Sequence, residues 1–286
     1  MGQAGQVTAV HTRGELATDF RRIGLERGDA VVLHGSLRSI CRVDGGADTV
    51  VAALLDVLGP DGLLAAPVYT YWTQRFDPAA DPGQTGRIAE SIRRWPGAVR
   101  SWHPSHSVAA IGAGAAKLCE GHHLVGAVSH GSPLDRLAAR GGKVLLLGVG
   151  HVANSAIHVG EVHAGAPYLD IPFSAGAFTS ATVVTPTGDV TVPIIQPSGC
   201  SRAFGAIEQP LRHRGAIRDG RVGEAITQLM LGSELIATVV DLLRSDPAAL
   251  LCNDPASYRC AQARRLIAAA PVSPFPLNVG GKGPGG

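Results

Sequence analysis

The stretch DAVVLHGS, residues 29–36, decides the fold when it is taken with the two segments that follow it. Its apolar centre predicts a buried β-strand of about six residues. The segment GADTVVAALLDVLG, 46–59, then places its valines and leucines at helical spacing, and GLLAAPVYT, 62–70, predicts a second buried strand. This order predicts a right-handed crossover between parallel strands, with ligand sites at their carboxyl ends. We therefore expect a site near HGSLRS (34–39) and PVYTYW (67–72).

The rest of the chain continues the α/β pattern. In SPLDRLAARGG, Ser132 is a helix N-cap and Pro133 the first helical residue, and the chain then enters a strand, KVLLLGVG. ATVVTPTGDVTVPI (181–194) predicts an antiparallel hairpin around 186–189. SRAFGAIEQPLR predicts a helix broken near Pro210, and SELIATVVDLLRS a helix capped by Ser233.

These elements predict one large α/β domain over residues 1–277, followed by a flexible tail at 278–286. We expect a mostly parallel central sheet, flanked by helices, with one antiparallel hairpin.

Composition limits the possible functions. The chain has 286 residues, of which 45% are hydrophobic and 17% charged, so it can bury a sizeable core. A formal net charge of +2 without a Lys/Arg-rich run argues against a nucleic-acid partner. The N-terminus has no apolar signal region and no apolar stretch reaches membrane-spanning length, which predicts a soluble cytoplasmic protein without a membrane partner. Five cysteines at irregular spacing favour reduced thiols.

The segment GHVANSAIHVGEVHAGAPY, residues 150–168, has the strongest chemical signal. If it is helical from Ser155 onward, Asn154, His158 and Glu161 fall within about 60° of one another on one face. The pair of His158 and Glu161 is either an ion pair on a solvated surface or a general base with the carboxylate that orients it. A third interpretation is a zinc hydrolase built on His151, His158, Glu161 and His163. The spacing misses the inverted zincin motif, however, because no histidine directly follows the glutamate.

Four segments taken in order resemble the aminoglycoside 3-N-acetyltransferases. They are VVLHGSLRSI (31–40), VDGGADTVVAALLDVLGPDGLLAAPVYT (43–70), HPSHSVAAIG (103–112) and GSPLDRLAARGGKVLLLGVGHVANSAIHVGEVHAGAPY (131–168). The similarity runs from about residue 14 to residue 270 and is closest to the apramycin- and gentamicin-acetylating branch. It implies a fold other than the GNAT fold, and transfer of acetyl from acetyl-CoA to the 3-amine of a 2-deoxystreptamine ring, which confers antibiotic resistance. It also implies that His158 is the general base and Glu161 its orienting partner.

The resemblance makes two segments walls of an acetyl-CoA channel. Taken alone, HGSLRS is an ordinary strand-to-helix turn in which Ser36 can cap a helix and Arg38 can meet a phosphate, and HPSHS is a loop with internal hydrogen bonds. The predicted cofactor-binding residues are His34, Gly35, Ser36, Leu37, Arg38, Ser39, His106 and Ser107.

An aminoglycoside is a polycation, so we expect carboxylates in its cleft. The predicted substrate-binding residues are Tyr69, Asp77, Asn154, Glu161 and Asp170. Asp77 can equally be a turn residue before Pro78. The Ser155 hydroxyl or a backbone N–H is expected to stabilise the oxyanion, without a covalent acyl-enzyme.

Other activities stay open at this point. They are a CoA-dependent acyltransferase that acts on another amine, and a non-catalytic module that binds CoA or a sugar. We expect small-molecule partners, a monomer or homodimer, and no metal. The branch has more cysteines near Cys200, Cys252 and Cys260, so an inherited structural metal site is in doubt and buried thiols are the default.

Overall fold

A seven-stranded sheet forms the centre of the protein, and the stretch 29–36 supplies its middle strand. The computed structural model describes residues 10–70, 73–171, 178–193 and 199–269. With strands numbered in chain order, the sheet runs β11 (Arg218–Val222), β12 (Ala225–Leu231), β8 (Lys143–Leu147), β2 (Ala30–Gly35), β4 (Leu63–Pro67), β7 (Val108–Gly112) and β6 (Val99–Arg100).

The pairing of these strands confirms the predicted crossover. β2 pairs in parallel with β4 and with β8, so that Val31 lies opposite Leu64 on one side and Lys143 on the other. The four outer pairings are antiparallel. The predicted α/β architecture is confirmed, and its parallel pairings lie at the centre of a mixed sheet.

Helices cover both faces of the sheet. One face carries α1 (Arg13–Arg22), α3 (Gly46–Leu58) and α4 (Arg87–Arg94). The other carries α5 (Ala115–Cys119), α6 (Pro133–Ala139), α7 (Ala156–His163), α8 (Glu208–His213), α9 (Gly232–Ser245) and α10 (Tyr258–Ala269). A short helix, α2 (Leu37–Ile40), follows β2, and 3₁₀ turns lie at His122–Leu124, His151–Ala153 and Phe204–Ile207.

Alternation along β2 decides which layer each side chain meets. Val31 and Leu33 pack against the layer of α1, α3 and α4, whereas Val32 packs against the layer that contains α7. Both faces are buried, which explains why the sequence shows an unbroken apolar run instead of a two-residue period. By the same alternation His34, at the end of the strand, lies on the α7 side.

The remaining strands are peripheral. β1 (Val10–His11) pairs in parallel with β3 (Arg42–Val43), and β5 (Arg75–Phe76) joins a hairpin of β9 (Ser180–Thr185) and β10 (Gly188–Pro193). The predicted hairpin is confirmed. Thr185 pairs with Gly188, which leaves residues 186–187 as the turn.

Of the helix caps and breaks predicted at Ser132, Ser233 and Pro210, only the cap at Ser132 is found as predicted. Ser132 caps α6, and its hydroxyl accepts the Asp135 N–H at 3.4 Å. Ser233 does not cap α9, because β12 pairs as far as Leu231 and the helix begins at the next residue. Pro210 does not break a helix: it lies in the first turn of α8, where no partner is needed for an N–H, and the break falls before Glu208.

Within the described ranges, no helix is long and apolar enough to cross a lipid bilayer. The predicted tail at 278–286 lies outside the described residues.

Candidate active site

The site is built where the chain leaves β8 and enters α7. The Asn154 side-chain oxygen accepts the Ala156 N–H at 3.2 Å, and α7 begins at that residue. Ser155 occupies the N-cap position, but its hydroxyl makes no capping hydrogen bond. The helix therefore starts one residue later than predicted, and Asn154 and Ser155 both lie in the wall of a cavity.

His158 and Glu161 form a buried pair one turn apart on α7. His158 Nδ1 lies 2.6 Å from Glu161 Oε2, and the two side chains are 12% and 3% exposed. Such burial excludes an ion pair on a solvated surface. Because the carboxylate accepts the proton on Nδ1, it favours the tautomer whose Nε2 is unprotonated and able to take a proton.

Two neighbours fix the imidazole ring from its other sides. The Phe204 ring packs edge-on against it, with centroids 4.6 Å apart. Gly199 lies so close that a Cβ there would be 1.8 Å from His158 Cε1 and 2.1 Å from Nε2. Glycine is therefore needed at position 199 if the ring is to stay in place.

A second layer of contacts holds Glu161. The Tyr168 hydroxyl donates to Glu161 Oε1 at 3.0 Å. Tyr168 is fully buried, and burial, followed by the nearby Glu161 charge, raises its pKa well above the usual value, so the phenol stays a donor.

Arg259, on α10, adds a buried cation behind this tyrosine. It donates from Nη2 to the carbonyl of Tyr168 and, at 3.3 Å, to that of Leu169. It is 2% exposed, and burial lowers its pKa to about 10 while the Glu161 carboxylate opposes that shift. Neither residue is predicted as a site residue from the sequence. Tyr168 follows Glu161 after the helix has ended, and Arg259 lies 91 residues beyond Tyr168, so local spacing shows neither contact.

The cavity, of about 580 Å³, opens at the carboxyl ends of β2 and β4, where the strand order places a site. Its described lining residues are Leu33, His34, Gly35, Pro67, Tyr69, Gln84, Thr85, Ala89, Ser105, His106, Val149, Val152, Ala153, Asn154, Ser155, His158, Gly199, Ser201 and Phe204. Among the described residues, His34 Nε2 is buried without a hydrogen-bond partner, and burial lowers the His34 pKa to about 4. A neutral imidazole at this position can bond to a polar ligand.

Three of the predicted cofactor residues line the cavity: His34, Gly35 and His106. Burial, followed by nearby His158, lowers the pKa of His106 to about 3, and the Ser105 hydroxyl lies 2.8 Å from its Nδ1. The other predicted cofactor residues, Ser36, Leu37, Arg38, Ser39 and Ser107, are not among the lining residues.

Their side chains have other surroundings. Ser36 lies at the N-cap position of the four-residue helix α2, but its hydroxyl makes no capping hydrogen bond. Leu37 packs on the core, and the Ser39 hydroxyl donates to the Gly148 carbonyl at 2.9 Å. Ser107 is buried and donates to the Val68 carbonyl, whereas Arg38 is exposed.

The predicted substrate residues also divide. Tyr69 and Asn154 line the cavity, while Glu161 lies beneath it with both oxygens bonded to protein. Asp77 Oδ1 accepts the N–H groups of two following residues, as the turn interpretation predicts, and Asp170 is exposed. No Asp or Glu is among the described lining residues, so in this part of the wall the expected acidic cleft is not found.

The four residues of the zinc-hydrolase interpretation do not share one site. His151 is buried with Nδ1 3.4 Å from the Asn154 amide, and His163 pairs with Asp135 at 2.8 Å. Within the described chain they form no common ligand cluster. The cysteines do converge: Cys200, Cys252 and Cys260 place their sulfur atoms within 4.8 Å of one another, and burial raises the Cys260 pKa to about 11.

Fold and site together define an α/β protein with a histidine–carboxylate pair at a ligand cavity. A family model described as aminoglycoside 3-N-acetyltransferase matches residues 32–244. The chain belongs to this family. The predicted family, enzyme class and acetyl-CoA co-substrate are thereby confirmed.

Relatives in sequence cover most of the chain. Aminoglycoside N(3)-acetyltransferase VII of Streptomyces paromomycinus is 34% identical, with 79% of this chain and 88% of that protein covered. Aminoglycoside N(3)-acetyltransferase IV of a Salmonella species is 29% identical, with 84% and 90% covered.

Solved structures share the fold. One is a histidine-to-alanine variant of aminoglycoside acetyltransferase AAC(3)-IVa in complex with a gentamicin, with a TM-score of 0.80, 27% identity and coverage of 91% of this chain and 99% of that chain. Another is AAC-IIIb as a binary complex with CoASH, with a TM-score of 0.72, 28% identity and coverage of 83% and 97%.

Proposed function

We propose that this enzyme transfers the acetyl group of acetyl-CoA to the 3-amine of the 2-deoxystreptamine ring of aminoglycosides, with His158 as general base. The observation that carries the proposal is the 2.6 Å contact between His158 and Glu161 at the wall of the cavity. The gentamicin complex of one relative and the CoASH complex of another support the two substrates.

The proposed reaction is a direct transfer. The amine nitrogen attacks the thioester carbonyl, and His158 Nε2 takes a proton from the nitrogen as the C–N bond forms. Glu161 stabilises the imidazolium that results. When the C–S bond breaks, the proton passes from His158 to the sulfur, so CoA leaves as a thiol and the enzyme returns to its starting state.

Donors near the cavity wall can stabilise the oxyanion. The Ser155 hydroxyl makes no capping bond to α7, and Ser155 lines the cavity. A hydroxyl or backbone N–H at this place stabilises charge that develops on the carbonyl oxygen. We assign this role to Ser155, and we assign to neutral His34, Gly35 and His106 the binding of acetyl-CoA.

Polar groups of the cavity wall offer contacts to both substrates. The unpartnered His34 Nε2 gives a buried site that a polar atom of the ligand completes. Tyr69 and Asn154 supply neutral polar contacts for the aminoglycoside. It stays a prediction that Asp77 and Asp170 contact the aminoglycoside. The cytoplasmic location and the monomeric or homodimeric state also stay predictions.

The test is release of free thiol from acetyl-CoA across a panel of aminoglycosides, with the acetylated position read by NMR. We expect aminoglycoside-dependent thiol release and acetylation at the 3-amine. Release with other amines only would favour the alternative acyltransferase, and binding of acetyl-CoA without any release would favour a non-catalytic module. Either result overturns the proposal.

A further inference from the structure

Three side chains meet on the surface at the end of α7 that is opposite to Ser155, and the proposed reaction uses none of them. His163 is the last residue of α7, Asp135 lies in the first turn of α6, and His130 lies in the loop before α6. His130 and His163 are exposed and Asp135 is partly buried. The cluster is therefore open to ions in solution.

The three groups are close enough to share one ion. His163 Nε2 lies 2.8 Å from Asp135 Oδ1, and the rings of His130 and His163 are 4.4 Å apart at their centroids. One ligand atom of each residue lies within 4.8 Å of the other two. Ligands of a tetrahedral Zn²⁺ ion, each about 2.0–2.1 Å from the metal, are about 3.3 Å apart. Because His130 and His163 are exposed, their side chains have room to rotate towards that spacing.

The carboxylate is already held for such a role. The other oxygen of Asp135, Oδ2, accepts the Gly131 N–H at 2.7 Å, and the Asp135 N–H bonds to the Ser132 hydroxyl. Anchoring of this kind orients a metal ligand. The neighbouring cation, Arg136, turns its guanidinium towards the carbonyls of Lys117, Leu118 and Glu120.

We propose that His130, Asp135 and His163 form an accessory binding site for a divalent transition-metal ion, represented by Zn²⁺. Two imidazole nitrogens and one carboxylate oxygen suit ions of this class better than Mg²⁺ or Ca²⁺, which prefer oxygen ligands. Water completes the coordination. The ion joins the start of α6 to the end of α7, the helix that carries His158, and thereby stabilises the folded state without taking part in acetyl transfer.

The test measures Zn²⁺ binding by titration calorimetry to chelator-treated protein. Wild type is compared with His130→Gln, His163→Gln and the matched control His213→Gln, which removes an exposed histidine of α8. We expect each cluster variant to bind one equivalent less than wild type, or to bind it at least tenfold more weakly, and His213→Gln to match wild type. Because the three cysteines are the same in all four proteins, any binding there cancels in the comparison, and the difference reports the histidine cluster alone.

A second readout is the thermal midpoint. Zn²⁺ should raise it more in wild type than in His163→Gln, each compared with the same protein without metal, because only the wild-type cluster keeps both imidazole ligands. Chelator should leave the rate of thiol release unchanged in wild type, which separates this site from the proposed reaction. Equal Zn²⁺ stoichiometry and affinity in wild type and both cluster variants would overturn the proposal.

Discussion

His158 has three neighbours that fix its ring: the Glu161 carboxylate, the Phe204 ring and the backbone of Gly199. If this ring accepts the amine proton, His158→Ala should lower kcat by about 10²- to 10⁴-fold. Acetyl-CoA binding should persist in this variant.

Glu161→Gln should slow turnover by less than His158→Ala does, because the imidazole remains with a weaker partner. Thiol release measures both, with His213→Ala as control, and near-normal turnover in folded His158→Ala would contradict the assignment.

Gly199 offers a second test at the same ring. In Gly199→Ala the new methyl group would overlap His158, so the imidazole must move. Because a small displacement of a catalytic group lowers the rate strongly, kcat should fall by about tenfold or more. Gly205→Ala is a matched control, because a Cβ at 205 has no atom within 4 Å in the described structure. Steady-state kinetics of the two variants compares them, and equal kcat values would show that Gly199 does not position the base.

The sequence predicted His158 and Glu161 because both lie on one helix, where spacing alone places side chains on a common face. Gly199 and Phe204 come from a distant segment, and nothing local in GCSRAF, residues 199–204, predicts that these two residues contact the imidazole. Asp77 shows a competing local signal, because the carboxylate that the chemistry of the substrate favours also accepts the N–H groups of a turn.

Among the elements, α10 has a role that the family match does not cover, since that match ends at residue 244 and α10 begins at Tyr258. Arg259→Met should leave the Tyr168 carbonyl without its donor, loosen the support of Glu161 and lower kcat, with an unfolding cost of about 1–3 kcal/mol for the lost bonds. Arg259→Lys keeps the charge and should retain more of the activity. Thiol release and denaturant titration of the two variants check this prediction, and equal losses in both would contradict it.

Tyr168→Phe isolates the hydroxyl, because it keeps the ring and removes only the donor to Glu161. We expect a lower kcat with an unchanged KM for acetyl-CoA, since the tyrosine supports the base and does not line the cavity. Denaturant titration of the same variant shows whether it folds. A kcat equal to that of wild type would remove Tyr168 from the support of the base.

Elements with local signals were predictable, as β2, α3 and β4 show. Their apolar runs and glycine stops belong to short segments, and the crossover rule joins them. The antiparallel outer strands were harder to predict from the sequence, because the direction of β11, β12 and β6 depends on how they pair within the sheet. The predicted start of α9 was wrong for the same reason. β12 pairs with β8 as far as Leu231, and this tertiary pairing prevails over the capping preference of Ser233.

At the scale of the whole molecule, buried neutral histidines make stability depend on pH. Burial lowers the pKa of His34 from 6.5 to about 4. The unfolded state therefore binds the proton more readily below pH 6.5, and the contribution of His34 to stability is lost as pH falls from 6.5 to about 4. We expect a loss on the order of 2 kcal/mol from this group.

Denaturant unfolding at about pH 7 and about pH 4.5 measures this effect. His34→Gln cannot titrate, so its stability should fall less between the two pH values than that of wild type. His122 acts in the same direction, because burial lowers its pKa well below the usual value. An identical pH dependence in wild type and His34→Gln would contradict the prediction.

The order of strands in the sheet has a consequence for how the enzyme is made. β2 is synthesised long before one of its two partners, β8, and β12 and α10 follow later still. Pairings between distant segments form slowly, because loop closure must precede the gain from contact. Until β8 has been synthesised, the edge of β2 that pairs with it has no partner. Arg259 can reach Tyr168 only after α10 has been synthesised, so the contact behind Glu161 forms later than the pairing of β2 with β4.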